Sequence, residues 1–499
     1  MKIPKTIYNW ISLLGLVIAI NCGLLILILF VISQTVGASS AYLGLYIYIV
    51  LPTILIIGII FILIGMMVSK RKQLTVDPGL PKWPMVDLNR PSHRRRLVLV
   101  SVIGLLFLII SAMGSYQAYR YTESVSFCGK LCHEVMKPEY ITYLHSPHAR
   151  VRCVDCHVGE GADWYVKSKL SGLYQVYAVT FNVFPRPIPT PIQNLRPARE
   201  TCERCHWPQK FYARSLRNQR NYLTDSVNTE WNYSMVIKTG PAYSSMGLKE
   251  GIHWHINPDV KIEYVSNSKD RESIPWVRYT NTKTGEVQVF QDTENPLGKG
   301  ALDTLETRVM DCMDCHNRPS HSYKSPVNYV DEAITAGEIP SDLPFIKKIA
   351  MKILKLPFTK TDSALAFIRD SINSYYKVKH PEIYANRKNQ IDKAVLGIQE
   401  EFQKNTFPEM KVTYASYLNH IGHMESDGCF RCHSGTHKSD KGKVISKDCN
   451  LCHSIIAEGP TSDLKYASIN GSLEFMHPID IGEDWKNYKC SECHRILYP

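Results

Sequence analysis

The chain has 499 residues, a formal net charge of +12 and 15 cysteines. That length allows several domains, and so many cysteines do not suit an ordinary cytosolic enzyme, which makes their spacing decisive. The basic excess is no argument for nucleic acid, because much of it lies in one short loop between apolar runs.

Residues 11 to 32 (ISLLGLVIAINCGLLILILFVI) hold no charge and are long enough to cross a bilayer as a helix. Residues 41 to 68 are also uncharged, with Pro52 a predicted kink, and a third run from 97 to 119 is apolar until Arg120. Two further runs after the first exclude a cleaved signal peptide. The reading is two transmembrane helices within 1–68, a basic loop over 69–96 and a third transmembrane helix over 97–119. The loop carries Lys70, Arg71, Lys72, Lys82, Arg90, Arg94, Arg95 and Arg96 against Asp77 and Asp87, and the N-terminus carries Lys2 and Lys5. The link QTVGASS between the first two runs is uncharged. Basic residues stay on the cytoplasmic side. The N-terminus and the loop are therefore expected in the cytoplasm of a bacterium, with everything beyond Arg120 on the periplasmic face of its inner membrane.

Fourteen cysteines form seven close pairs: Cys128/Cys132, Cys153/Cys156, Cys202/Cys205, Cys312/Cys315, Cys429/Cys432, Cys449/Cys452 and Cys490/Cys493. Cys22 stands apart in the first apolar run. A histidine follows each pair directly: His133, His157, His206, His316, His433, His453 and His494. Six pairs spell CxxCH, the attachment signature of c-type haem. The chemistry explains the spacing. Two thiols add across two vinyl groups on one porphyrin edge, and the next residue is carried under the iron, where imidazole is a good axial ligand. The first pair, in FCGKLCH, has one extra intervening residue. Zinc ribbons and redox disulfides also use paired cysteines, but neither needs a histidine at the next position every time. Seven covalently bound haem c groups are expected. Their propionates would make the extramembrane part acidic overall.

The motifs are unevenly spread. Residues 120–210 hold the first three and end near a proline-rich connector, FNVFPRPIPTPIQNLRP. Over 211–300, KIEYV and WVRYTNTKTGEVQVF alternate like strands, with Thr284-Gly285 at a hairpin turn. The fourth motif lies in 301–341. Residues 342–410 read as two or three amphipathic helices without a motif, and 411–499 hold motifs five to seven. Little regular structure is expected around the haems, since they supply the apolar core.

A low-spin electron-transfer haem needs a second axial ligand. His93 falls in the cytoplasmic loop. His148, His321, His423, His437 and His477 lie close to motifs, and His253 and His255 (IHWHI) sit at i and i+2, expected on one strand face. Met136, three residues past His133, is a thioether candidate for the first haem. His145, His380 and His420 are weaker candidates. The favoured set has eight members for seven positions, so one is in excess.

The segments FCGKLCHEVMKPEY, HSPHARVRCVDCHVGEGADWYVKSKLSG and RPARETCERCHWPQKFY resemble the NapC/NirT family of membrane-anchored quinol dehydrogenases, over roughly residues 97–210. The whole chain is similar to the heptahaem inner-membrane cytochromes of metal-reducing bacteria. The resemblance implies a membrane-anchored multihaem cytochrome: three transmembrane helices and a mainly helical or irregular, haem-packed periplasmic part with a small β insertion. It implies electron transfer from the menaquinol pool to periplasmic c-type cytochromes, in anaerobic or extracellular respiration. It also implies a quinol site at the membrane face beside the first haem, with Met136 as that haem's ligand and Lys169 or Lys167 near the quinol. Those lysines could equally form a basic helix face at lipid headgroups. Two departures stand out: the longer first motif, and Gln175 where an acidic residue is expected. An electron-relay subunit of a larger respiratory complex is the first alternative function. A multihaem terminal reductase of nitrite, hydroxylamine or a sulfur oxyanion is the second, and the absence of any CxxCK motif argues against it.

Overall fold

The computed structural model describes residues 7, 9–35, 51–73, 87–159, 162–190, 196–208, 211–240, 251–298, 300–469 and 471–495. These form two compact units: Met1–Cys128 with Arg152–Tyr177, and Gly129–Val151 with Ala178–Pro499.

The first unit is built on long apolar helices. α1 (Trp10–Thr35) and α2 (Leu51–Gln73) follow the first two uncharged runs, although residues 41–50 of the second lie outside the described residues. Both are long and apolar enough to cross a membrane by length and composition. They pack through small residues, since a Cβ on Gly15 would stand 2.5 Å from the Gly58 carbonyl oxygen. Close backbone approach is how helices associate where lipid offers no hydrophobic gain. Two polar contacts cross the same seam: Asn9 Nδ2 donates to the Gly65 carbonyl at 3.0 Å, and Ser12 Oγ to that of Ile62 at 3.1 Å. α3 (Pro91–Thr122) carries the third apolar run within 32 helical residues, opened by proline at its first turn. The sequence reading counted three spans. Two helices meet the test of length and composition among the described residues.

The second unit opens with α4 (His133–Leu144), and α5 (Ala162–Thr180) leads into it from the first. Two antiparallel sheets follow, from β1 (Ser215–Tyr222), β2 (Glu230–Ile237), β3 (Val260–Val265), β4 (Trp276–Asn281), β5 (Val287–Asp292), β6 (Thr307–Val309), β7 (His437–Ser439), β8 (His453–Pro460) and β9 (Lys465–Tyr466). One sheet has the order β1-β2-β8-β9 and the other β6-β3-β4-β5-β7. The hairpin read at Thr284-Gly285 is the β4–β5 turn, where Gly285 has φ +74°. The strands are not confined to 211–300, however. β6 to β9 come from motif-bearing segments that no alternating pattern marked: β6, β7 and β8 take partners distant in sequence, and β9 has only two residues. The extramembrane part is thus mixed helix and sheet.

The motif-free segment is helical, with α6 (Pro326–Thr335), α7 (Ile346–Leu354), α8 (Thr361–Lys379) and α9 (Lys388–Asn405), and a short turn at Pro381–Asn386. Ser325 caps α6 and Pro326 occupies its first turn. Ile368, Ile372 and Tyr376 of α8 recur every four residues, as do Ala394, Ile398 and Phe402 of α9, and all are buried in one cluster.

Candidate haem sites

Each motif folds as a short helical turn or its 3₁₀ equivalent. In motifs three, four and five the His206, His316 and His433 N–H groups donate to the carbonyls of Cys202, Cys312 and Cys429 at 2.8, 2.8 and 3.0 Å. One i to i+4 bond brings the first thiol and the imidazole to the same side. The longer first motif has its own packing: Gly129 lies under the Tyr140 ring, and a Cβ there would be 2.2 Å from that ring. No disulfide joins cysteines among the described residues.

The second cysteines of the pairs are not all set to one depth. Burial pushes the thiols of Cys315, Cys432 and Cys452 up, to about 11, 12 and 11. By exposure, Cys132, Cys156, Cys315, Cys432 and Cys452 are all half-buried, and Cys205 and Cys493 are exposed. Backbone turns place the thiols of Cys132, Cys156, Cys205 and Cys493. Cys132 stands at the N-cap of α4, Cys156 and Cys493 lie within the one-turn helices Cys153–His157 and Cys490–His494, and the Cys205 N–H donates to the Cys202 carbonyl at 3.2 Å.

The histidines outside the motifs are brought onto those inside. Ring centroids stand 5.9 Å apart for His148 and His206, 6.5 Å for His253 and His316, and 5.8 Å for His255 and His433. They stand 6.2 Å apart for His423 and His453 and 6.1 Å for His477 and His494. An iron held between two imidazoles puts their centroids about 6 Å apart, from two metal–nitrogen bonds of about 2 Å and about 1 Å from each nitrogen to its ring centre. The spacing fits an axial pair in all five cases.

Hydrogen bonding agrees. A ligating histidine donates its other ring N–H to a carbonyl or carboxylate, which fixes its tautomer. His148, His255, His433 and His477 place Nδ1 on the carbonyls of Pro319, Ile252, Ser446 and Ile479 at 3.1, 2.7, 3.0 and 2.7 Å. That arrangement presents Nε2 to a metal. Burial pushes His423 and His433 down to about 4 and lowers His253, His255, His316, His453 and His494 as well. At neutral pH these rings are uncharged, the form that binds a metal.

The remaining candidates are placed differently. His437 turns its Nε2 to the Ile274 carbonyl at 2.7 Å, the reverse of the pattern above, and the nearby His433 faces His255. His321 holds Nδ1 2.9 Å from the Glu139 carbonyl and 3.2 Å from its carboxylate. His145 bonds the Ile141 carbonyl, His380 sits among Tyr375, Tyr376 and Phe345, and His420 lies between Asp314 and Glu272. Met136 is half-buried on α4 in the second unit; Lys167 lies on α5 in the first, its Nζ 4.8 Å from the Trp164 ring centre. Gln175 is exposed on α5. The side chains of His133 and Lys169 lie outside the described residues.

His253 and His255 occupy a 3₁₀ turn, Ile252–Ile256, instead of the expected strand face. The tighter turn aims neighbouring imidazoles at two motifs. Gly251 permits it, with φ +112° and room for no Cβ beside Gly240. The turn is tied to the end of β2 by the Ile252 N–H on the Lys238 carbonyl at 2.9 Å, and Lys238 N–H reaches the Cys452 carbonyl at 2.7 Å.

Neighbouring motifs also touch through their thiols. Cys128 and Cys153 hydrogen bond, as do Cys202 and Cys312. Cys315 adds to the upward shift of Cys432, and Cys429 to that of Cys452. Burial also raises Cys490, with Cys449 adding. Motifs three to seven are thus neighbours in chain order.

A buried network missed in the sequence holds motifs four and five together. Asp314, inside CMDCH, is 1% exposed and accepts from Tyr264 Oη at 2.6 Å, Arg308 Nε at 2.7 Å and Arg271 at 3.2 Å. Arg431, inside CFRCH, donates to the Asp314 carbonyl at 2.7 Å. Opposite charges between the cysteines of consecutive motifs were the available signal.

Turns that pair two thiols with an imidazole, opposed by second imidazoles, on a chain with membrane-length helices, define a membrane-anchored multihaem c-type cytochrome. The profile of the NapC/NirT cytochrome c family, N-terminal region, matches residues 90–187. The cytochrome c-type protein ImcH of Geobacter sulfurreducens is 42% identical over 498 residues, 99% of this chain and 97% of the relative. The cytochrome c-type protein NrfH of Wolinella succinogenes is 29% identical over 113 residues, 22% of this chain and 62% of the relative. No solved structure matches the chain. The chain belongs to the NapC/NirT family of electron-transport cytochromes c.

Proposed function

We propose that this cytochrome carries seven haems and passes electrons from menaquinol in a bacterial inner membrane to periplasmic c-type cytochromes. α3 serves as the third span, and the N-terminus and basic loop face the cytoplasm. The five opposed histidine pairs are the observation that carries the reading, because two imidazoles on one iron leave no open position for reductase chemistry.

The ligand count closes on the same basis. His206 pairs with His148, His316 with His253, His433 with His255, His453 with His423 and His494 with His477. Met136 then serves the haem of His133, His321 remains as the seventh candidate, and His437 is the candidate in excess. Haem c, when bound, supplies a one-electron iron couple. The chain's own residues would set its surroundings: paired cysteines would fix the porphyrin edge, and backbone carbonyls hold the tautomers of His148, His255, His433 and His477. Succession of motifs three to seven gives an outward order for electrons, towards His494 and its partner His477. Lys167 and Lys169 on α5 are the quinol-side candidates carried over from the family, and Gln175 leaves their acidic companion unfilled.

Mixing the full-length protein in phospholipid nanodiscs with a reduced menaquinone analogue tests the reading. Reduction of the haem absorbance is expected, and its absence overturns the quinol assignment. Spectra dominated by high-spin, nitrite-binding haem would restore the terminal-reductase alternative. A dehydrogenase co-purifying in fixed ratio would favour the relay subunit.

A further inference from the structure

We propose that the second half of α5 lies in the headgroup layer of the bilayer with one face in lipid. From Leu170 to Pro185 the chain has no charged residue. Leu170, Leu173, Tyr174 and Tyr177 are exposed, as is Phe181 just beyond the helix end. With 3.6 residues per turn, the four helical positions fall within an arc of about 100°. A stripe that wide is the size of a core-facing one, yet Leu173 and Tyr174 remain 68% and 66% exposed. A contiguous exposed apolar row of this kind marks an interaction surface.

Three observations choose lipid as the occupant. The helix as far as Tyr177 groups with α1, α2 and α3 in one compact unit, while the motifs from the third onward all belong to the other. The row is therefore continuous with the part of the chain that enters the membrane. Its ends carry cation–aromatic pairs, with Lys167 Nζ 4.8 Å from the Trp164 ring centre and the Arg186 guanidinium 4.1 Å from that of Phe184. Between them Tyr174 and Tyr177 stand with ring centroids 6.4 Å apart. Aromatic rings with an apolar body and a polar tip, flanked by basic residues, suit the level where acyl chains meet headgroups.

The arrangement bears on function, because α5 begins five residues after the ligand His157. An interfacial α5 keeps the second haem site close to the membrane surface and holds Lys167 among anionic headgroups. The proposal rests on the membrane anchoring of the family and is separate from the quinol assignment.

The test uses the full-length, haem-loaded protein in phospholipid nanodiscs, with p-benzoylphenylalanine replacing Tyr174 in one preparation and Leu216 of β1 in another. Leu216 is also exposed, at 59%, but lies on the extramembrane sheet. Haem absorbance reports that each variant is folded. On irradiation the Tyr174 position should yield a phospholipid adduct by mass at about tenfold the level of the Leu216 position. Equal lipid yields at the two positions overturn the proposal, and so does an adduct at Tyr174 to a second protein chain in place of lipid. Haem reduction by the menaquinone analogue is scored in the same discs. A lipid adduct without reduction sinks the quinol reading alone, and reduction without a lipid adduct sinks this one alone.

Discussion

The helical segment over 326–405 and the motif-bearing segment over 429–494 solve the same problem with different materials. In the first, Ile368, Ile372, Tyr376, Ile391, Ile398 and Phe402 are almost wholly buried against one another on regular helices. In the second, three motifs occupy short turns, and the groups drawn together are imidazoles and thiols. A segment that buries its own apolar stripe needs long helices to present it. A segment that wraps a porphyrin needs only enough backbone to place two thiols and an imidazole, so strands and turns from distant parts of the chain suffice. Cofactor-built regions should then fail without the cofactor, and self-built ones should not.

Production of the chain without haem attachment tests that contrast most directly. Hydrogen exchange should stay slow over 326–405 and become fast over 429–494; equal loss in both would mean that the helical core also depends on haem. Phe402→Ala attacks the other side. It removes an aromatic ring that is 1% exposed, at a cost of about 3–5 kcal/mol. Faster exchange in α8 and α9 is expected, with unchanged haem absorbance.

Asp314→Asn loosens the join between motifs four and five. Arg271 and Arg308 would lose their shared carboxylate, at a cost of about 2–3 kcal/mol. Denaturant titration followed by haem absorbance should show a lower midpoint. His253→Ala should convert one haem of the set to a high-spin spectrum with little change in overall stability, whereas His437→Ala should convert none. A high-spin haem in His437→Ala would break the ligand count given above.

Glu458 on β8 offers a pH-dependent test of the cofactor-built side. Burial pushes its carboxyl up to about 7 from the ordinary 4.5, partly offset by the Met476 N–H donated to it. The folded value lies above the unfolded one, so its contribution to stability is full below about pH 4.5 and is lost as pH rises through about 7. Exchange in β8 and β9 should therefore be faster at about pH 8 than at about pH 5. Glu458→Gln should remove the difference.

The motifs for covalent attachment were legible in the sequence, because a cysteine pair and its adjacent histidine lie within five or six residues. How deeply each thiol sits was not, since Cys205 and Cys432 share one motif pattern yet the first is exposed and the second is not. The three apolar runs were legible because length and absence of charge are local quantities. Five of the eleven non-motif histidines were favoured for lying close to a motif, and His437, four residues from His433, turns its Nε2 to the Ile274 carbonyl. His255, far from any motif in sequence, faces His433 instead. The strands β6 to β9 were hidden likewise, since β6, β7 and β8 take their register from partners far along the chain and β9 is a two-residue strand beside β8.

The sequence by itself determined where haem can be attached, which segments suit a membrane and which stretch builds an apolar core of its own. Only the tertiary structure decided which imidazole opposes which, that neighbouring motifs are locked through Asp314 and Arg431, and that α5 turns an apolar row outward. The physical reason is range. Attachment and hydrophobic length are properties of a few adjacent residues, whereas an axial pair is closed by two side chains that only folding brings to the same metal position.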